Sequence, residues 1–232
     1  MPKLRLEKLL RLSGKFRNAY ETEQAIKSGR VSVDGKTIIS PSYGVSEKKK
    51  VALDGEPITA EKLELKYYVF NKPKGVVCQR GEKKKSVFDF FKDKTLFAVG
   101  RLDEDTTGII IVTNDGRLSH KIASPESRTE KTYEATIDSP ISESDIRKLS
   151  SGVTIDLDGE PYTTLPCRVV QLSPTKIEMA ITEGKKRQVR RMLNAIGRNV
   201  VELKRTRIGS LALDIPEGKH RPLSDSEMKA LL

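Results

Sequence analysis

The chain has no tryptophan, only two cysteines and two histidines in 232 residues, and just 5% aromatic residues. Cys78 and Cys167 lie far apart and form no CxxC pair. With so few soft ligands, neither a zinc site nor a disulfide framework is expected. Sparse cysteine of this kind suits a reducing, cytoplasmic compartment. No apolar run reaches about 18 residues, so no membrane-spanning helix is expected. The opening MPKLRLEKLLRLSG is broken by charges and has no apolar signal core, so no export is expected. A Walker-type phosphate loop, a dinucleotide-binding glycine fingerprint and a nucleophile–histidine–carboxylate set are also lacking.

What is present is a core-forming apolar fraction of 36% against 32% charged residues, which excludes a disordered polyelectrolyte. Lys and Arg number 43 against 32 Asp and Glu, a net charge of +11. A chain this basic favours polyanions, because neutralising phosphates releases counterions. The charge is uneven: residues 1–60 carry 12 Lys/Arg against 7 Asp/Glu, and residues 61–232 carry 31 against 25. The pattern predicts two domains, 1–60 and 61–232, with a linker at 60–66.

In the first part, Leu6, Leu9 and Leu10 share a helical face. Asn18 can cap a second helix in which Ala25 and Ile26 face inward and which Gly29 stops. Val31 and Val33 alternate before Asp34-Gly35, Ile38 marks a returning strand, and Val51 and Leu53 precede a second Asp-Gly at 54–55. A small helix–helix–hairpin unit with basic helices suits folded RNA. The second part reads as strands at 67–70, 76–78, 96–99, 109–113, 132–137, 153–157, 167–172, 177–182 and 200–203. A helix fits 187–196, where Val189, Met192, Leu193 and Ile196 recur at helical spacing before Gly197. Ser224 and Glu227 make a capping box for a last short helix. This predicts an α+β fold around a mixed or antiparallel sheet.

Four segments can carry chemistry. GRLDEDTTGIIIVTNDG (100–116) sets Asp103 between a strand and an apolar run that reads as buried, with Arg101 two residues before it. Taken alone it also reads as a polar loop with Asx-type turns. EGKKRQVRRM (183–192) puts Lys185, Lys186, Arg187, Arg190 and Arg191 at a helix start, against the dipole. Such a cluster recruits a phosphate, pairs a buried carboxylate, or is a solvated basic face. Tyr133 stands in a strand, either packing there or offering a base a stacking platform. NKPKG (71–75) reads as a basic turn between strands. Cys78 and Cys167 read as small strand fillers, and His120 and His220 as surface residues.

Together these segments resemble the pseudouridine synthases of the RsuA/RluB type, in order and over the whole chain. GRLDxxTxG matches at Gly100, Arg101, Asp103, Thr106 and Gly108, NKPxG at Asn71, Lys72, Pro73 and Gly75, EKTY at 130–133, and EGxxxQVRRM at Glu183, Gly184 and 188–192. The first part resembles the S-four RNA-binding domain through RLEKLL near the start and IKSGRVSVDGK at 26–36. It departs where that family opens its second helix with Ser-Arg-Arg: here the residues are Asn18-Ala19-Tyr20, and Arg17 can compensate.

The resemblance implies Asp103 as the catalytic aspartate, Arg190 as its ion-pair partner and Tyr133 stacked on the target base. Arg101, Lys72 and Val189 then belong to the base pocket, Val189 as an apolar floor. RNA-binding residues would be Arg5, Lys8, Arg17, Lys27, Arg30, Lys185, Lys186 and Arg187. The reaction detaches uracil at C1′–N1, turns it and rejoins it at C5, so no cofactor or metal is implied. Ribosomal RNA or a pre-ribosomal particle is the implied partner of a monomeric enzyme. SHKIASPESRTEKTY (119–133) and NVVELKRTRIG (199–209) resemble the small-subunit branch most, while the doubled arginine of QVRRM also occurs in the large-subunit branch. Two other readings stand beside it. Asp103, Asp105 and Thr107 match the DxDxT of haloacid-dehalogenase-type phosphatases, but no adjacent acid pair follows for Mg²⁺. A non-catalytic RNA-binding or ribosome-assembly protein fits the charge and the N-terminal part equally well.

Overall fold

A computed structural model describes residues 4–16, 19–46, 49–58, 65–81 and 83–231. Arg17, Asn18 and most of the 60–66 stretch lie outside them. The chain divides into two compact units, Met1–Leu65 with Asp93–Thr95, and Lys66–Lys92 with Leu96–Leu232.

The first unit follows its apolar spacing. It contains β1 (Leu4–Arg5), α1 (Leu6–Leu12), α2 (Ala19–Lys27), β2 (Val31–Val33), β3 (Lys36–Thr37), β4 (Gly44–Val45), β5 (Val51–Leu53) and β6 (Glu56–Ile58). Leu6, Leu9 and Leu10 bury one face of α1 against Ile26 of α2 and the valines of β2 and β5. The sheet runs β3-β2-β5-β6, all antiparallel, and β1 pairs with β4. At both Asp-Gly turns the two residues have positive φ (Asp34 49°, Gly35 78°; Asp54 53°, Gly55 84°), the conformation that matches hairpin twist.

The second unit holds β7 (Tyr67–Lys72), β8 (Phe97–Val99), β9 (Thr107–Thr113), α3 (Gly116–Ala123), β10 (Lys131–Ile137), α4 (Glu143–Ser151), β11 (Thr154–Leu157), β12 (Glu160–Thr163), β13 (Arg168–Ser173), β14 (Lys176–Ile181), α5 (Gln188–Ala195), β15 (Val200–Ile208), β16 (Leu211–Ala212), β17 (His220–Pro222) and α6 (Asp225–Leu231). Its main sheet has nine strands in the order β13-β14-β10-β15-β9-β7-β17, with β16 on β15 and β8 on β9. Only β9 and β15 run parallel, so the sheet is mixed, as the α+β reading expects. The apolar run of β9 is buried on both faces, as a central strand must be. Ile110 and Val112 join one core with Leu149 of α4 and Val189, Met192 and Leu193 of α5. Ile109 and Ile111 join the other with Leu118 and Ile122 of α3 and Leu231 of α6.

The structure departs from the expected elements at several points, among them α3, α4, β16 and β17, which the sequence reading did not place. Residues 76–78 make a single bridge, Val77 to Ser86, rather than a strand. After Gly75 the chain turns beneath the Leu102–Glu104 loop, where Cys78 Sγ exchanges bonds with the backbone of Leu102 (3.3 and 3.4 Å). Cys78 therefore fills a loop contact, not a strand position. β12 was not expected; a third Asp-Gly turn, Asp158-Gly159, joins it to β11. β15 continues past Leu203 to Ile208, and that extension carries the floor of the cavity described next.

Candidate active site

β8 and β9 pair antiparallel, and the loop between them, residues 100–106, carries Asp103. Two devices fix this loop. Thr106 N donates to Asp103 O (3.1 Å) and closes the turn from within. Lys72, fully buried at the end of β7, donates from Nζ to the carbonyls of Pro73 (3.0 Å), Val76 (2.6 Å) and Glu104 (3.3 Å), tying the NKPKG turn to the Asp103 loop. Burial pushes the Lys72 ammonium below its ordinary range, opposed by Cys78 and the carboxylates of Asp105, Asp103 and Glu104. Lys72 is thus buried while Lys74 and Gly75 of the same turn are exposed, and Lys72 lies behind the loop rather than on the wall of the cavity that the loop faces.

That cavity measures about 750 Å³. Asp103, Tyr133, Val189 and Arg101 line it together, joined by Arg205 and Lys131. Asp103 is partly exposed, while Tyr133 and Val189 are buried. Lys185, Lys186 and Arg187 stand at its rim, exposed.

The EGKKRQVRRM segment explains itself by its partners. Glu183 accepts from Tyr162 Oη (2.6 Å), from Leu165 N (2.9 Å) and from Gln188 Nε2, and Gln188 Oε1 accepts from Lys185 N (2.9 Å). This lock holds the loop before α5. Arg187 takes a left-handed conformation (φ 52°) at the helix start and grips Asp105 with both terminal nitrogens (3.2 and 3.1 Å). Lys186 and Arg191 pair with Asp158 (3.2 and 2.9 Å), and Lys185 lies over the Tyr162 ring. The cations opposing the dipole are therefore largely answered by carboxylates.

Arg190 does not make the expected ion pair. It is buried and reaches Asp105 Oδ2 (3.3 Å), Asp105 O (3.1 Å) and Val200 O (3.3 Å). Among the described residues Asp103 pairs with Arg187, at 3.9 Å. The reason is geometric: Asp105, two residues on, turns back toward α5 and occupies both arginines. Burial pushes Asp105 up, but the Arg187 bond and the Arg190 charge outweigh it and hold the carboxyl below its usual range.

The sequence reading missed Arg205, which faces Tyr133 across β10 and β15. Its signal was visible only once β15 was known to reach Ile208, since alternation then sends Leu203 and Arg205 to the Tyr133 face. In the first unit, Arg5 and Lys8 are exposed, while Lys27 pairs with Glu23 and Arg30 with Asp54. Among the described residues no three His, Cys, Asp or Glu side chains converge as a metal site, and no helix is long and apolar enough to cross a membrane.

Residues 66–195 match the RNA pseudouridylate synthase family, and residues 4–51 match the S4 domain. The ribosomal small subunit pseudouridine synthase A of Escherichia coli (strain K12) is 37% identical over 213 residues, 89% of this chain and 91% of that protein. An uncharacterised RNA pseudouridine synthase of Bacillus subtilis (strain 168), YtzG, is 36% identical over 98% of both chains. A crystal structure of a pseudouridylate synthase superposes with a TM-score of 0.72 at 33% identity, covering 99% of this chain and all of the other. Sequence and fold agree over nearly the full length: the chain belongs to the RNA pseudouridylate synthase family, with an S4 domain at its N-terminus.

Proposed function

We propose that this chain isomerises uridine to pseudouridine in small-subunit ribosomal RNA, with Asp103 as the reacting carboxylate and Tyr133 as the surface on which the base stacks. The observation that carries this is that both side chains face one cavity with Arg101, Lys185, Lys186 and Arg187 around them. The target uridine leaves its stack to enter, and the basic rim holds the flanking phosphates. Val189 gives the base an apolar contact. Asp103 acts ionised on the ribose, as nucleophile at C1′ or as base for a ribose proton. Arg190 and Arg187 act one step back, holding Asp105 and with it the loop. Lys72 holds the same loop from behind. The choice of small-subunit RNA rests on the names of relatives similar over nine-tenths of the chain. A ribosomal substrate places the enzyme in the cytoplasm, and we read it as a monomer.

The test is chemical mapping of pseudouridine in ribosomal RNA from cells with the gene, without it, and with Asp103→Asn. One small-subunit uridine losing its mark in the last two is expected, while the purified variant keeps RNA affinity within a few-fold. No changed position overturns the assignment. A collapse of RNA binding in Asp103→Asn overturns the chemical role of Asp103.

A further inference from the structure

Arg205 is 3% exposed, lines the cavity, and has no carboxylate within ion-pair distance among the described residues. Its Nε donates to Ile109 O (2.9 Å) and its Nη1 to Tyr133 Oη (3.5 Å), and the guanidinium lies 5.9 Å from the Tyr133 ring centre. Its Nη2 is buried with no partner. Lys131, two residues before Tyr133, lines the same cavity, and among the described residues its Nζ bonds only to Thr129 O (2.8 Å). Burial and the neighbouring Arg205 push its ammonium below the ordinary range. Two desolvated cations side by side without an anion are costly, so the fold retains a positive field directed at whatever enters. Packing accounts for part of the guanidinium, since Nε satisfies Ile109 O on β9, but it leaves Nη2 unanswered.

We infer that Arg205, seconded by Lys131, stabilises the negative charge on uracil while it is detached from the ribose. This rests on the function proposed above. When C1′–N1 breaks, its electron pair stays on the base, spread over N1, the two carbonyl oxygens and C5. C5 then bonds to C1′ and gives up its proton, and N1 regains one, so atoms and electrons balance without a co-reactant. The species that gains negative charge is the detached base, and a base stacked on Tyr133 shares the cavity with the Arg205 guanidinium, which lies 5.9 Å from the Tyr133 ring centre. A fixed cation in a water-poor site acts most strongly on charge that develops there.

The discriminating variable is the leaving ability of the base. Fluorine at C5 withdraws electrons and lessens the need for a cation. Small-subunit RNA is transcribed with uridine or with 5-fluorouridine and assembled with small-subunit proteins, and cleavage of the target C1′–N1 bond, the step both substrates share although C5 of the fluorinated base has no proton to lose, is followed in single turnover. Arg205→Met is expected to slow uridine by about 10²–10³-fold, as loss of one such electrostatic group does. The loss on 5-fluorouridine is expected to be roughly tenfold smaller, because the leaving group itself supplies about one power of ten. Arg205→Lys restores most of the uridine rate, and Lys131→Met shifts the ratio the same way to a lesser degree. Equal losses on both substrates, or no rescue by Lys in a variant whose circular dichroism and melting match wild type, overturn the inference. If the wild-type chain makes no pseudouridine, the functional reading beneath it falls instead.

Discussion

Lys72 braces the Asp103 loop without lining the cavity. Its ammonium is fully buried and spends its three N–H bonds on three backbone carbonyls, one of them in the Asp103 loop. In sequence it sits in NKPKG, where two lysines flank a proline and a basic turn between strands is the natural reading. The same composition cannot say which lysine points inward; the six-residue β7 decides it, since Lys72 is its last residue and lies opposite Gly108, the first small residue of β9. Replacing Lys72 by Met takes the donor from the Pro73 and Val76 carbonyls and leaves Glu104 O with Gly75 N alone (2.9 Å), a cost of about 1–3 kcal/mol. At roughly 2–4 °C per kcal/mol for a chain of this size, melting should fall by several degrees. Isomerisation should slow far more than RNA affinity falls, because the Asp103 loop loosens while the exposed cations stay in place. The salt dependence of RNA binding should not change. A flattened slope with unchanged melting would mean that Lys72 reaches RNA after all.

At the scale of elements, the legible features are those encoded by spacing. The apolar face of α5 and the capping box of α6 follow from residues three and four apart, and both Asp-Gly hairpins follow from the turn chemistry. The parallel contact of β9 and β15 was not legible, because it joins residues nearly a hundred positions apart. Gly108 is its only local trace: at φ 110° an added Cβ would stand 2.2 Å from Arg205 O, so glycine is what lets β15 approach. The pairing of Arg190 with Asp105 was illegible for a related reason. Sequence places Asp103 and Asp105 in one loop but not the direction in which each side chain turns. α6 offers a test by pH. Arg221 grips Glu227 with two nitrogens (2.8 and 2.6 Å) while Ser224 N donates to the same carboxylate (2.8 Å). The Arg221 bond chiefly holds the Glu227 carboxyl down at about 2, from an ordinary 4.5. The folded value lies below the unfolded one, so the contribution is full above about 4.5 and is lost as pH falls toward about 2. Glu227→Gln should therefore melt below wild type at neutral pH, with the gap closing across that window. A gap that stays constant in acid would place the stabilisation in packing rather than in the ion pair.

For the whole molecule, the net charge of +11 is the plainest sequence statement about function, yet it does not say which cations are available to RNA. The structure sorts them. Lys27 is held by Glu23 (2.6 Å), and Arg30 Nε by Asp54 Oδ1 (2.9 Å), whereas Arg5 and Lys8 are exposed with no acidic partner among the described residues. A phosphate meeting Arg5 or Lys8 displaces only counterions, and each such contact adds roughly 0.7–0.9 to the slope of log affinity against log salt. A phosphate meeting Lys27 or Arg30 must also displace a carboxylate. Those exposed pairs are individually weak, so the competition reduces the contact rather than forbidding it. The double variant Arg5→Ala/Lys8→Ala should thus flatten the slope by about 1.4–1.8 and weaken binding alike across RNA sequences. Lys27→Ala/Arg30→Ala should flatten it by clearly less. Binding of one RNA measured from low to moderate salt, for wild type and both doubles, decides the matter. Equal flattening by the two would show that RNA opens the ion pairs of the first unit, so that its binding face is made by the nucleic acid and not preset in the free protein. No flattening by Arg5→Ala/Lys8→Ala would move the RNA path off α1 altogether, leaving the rim of the cavity to carry the electrostatic grip.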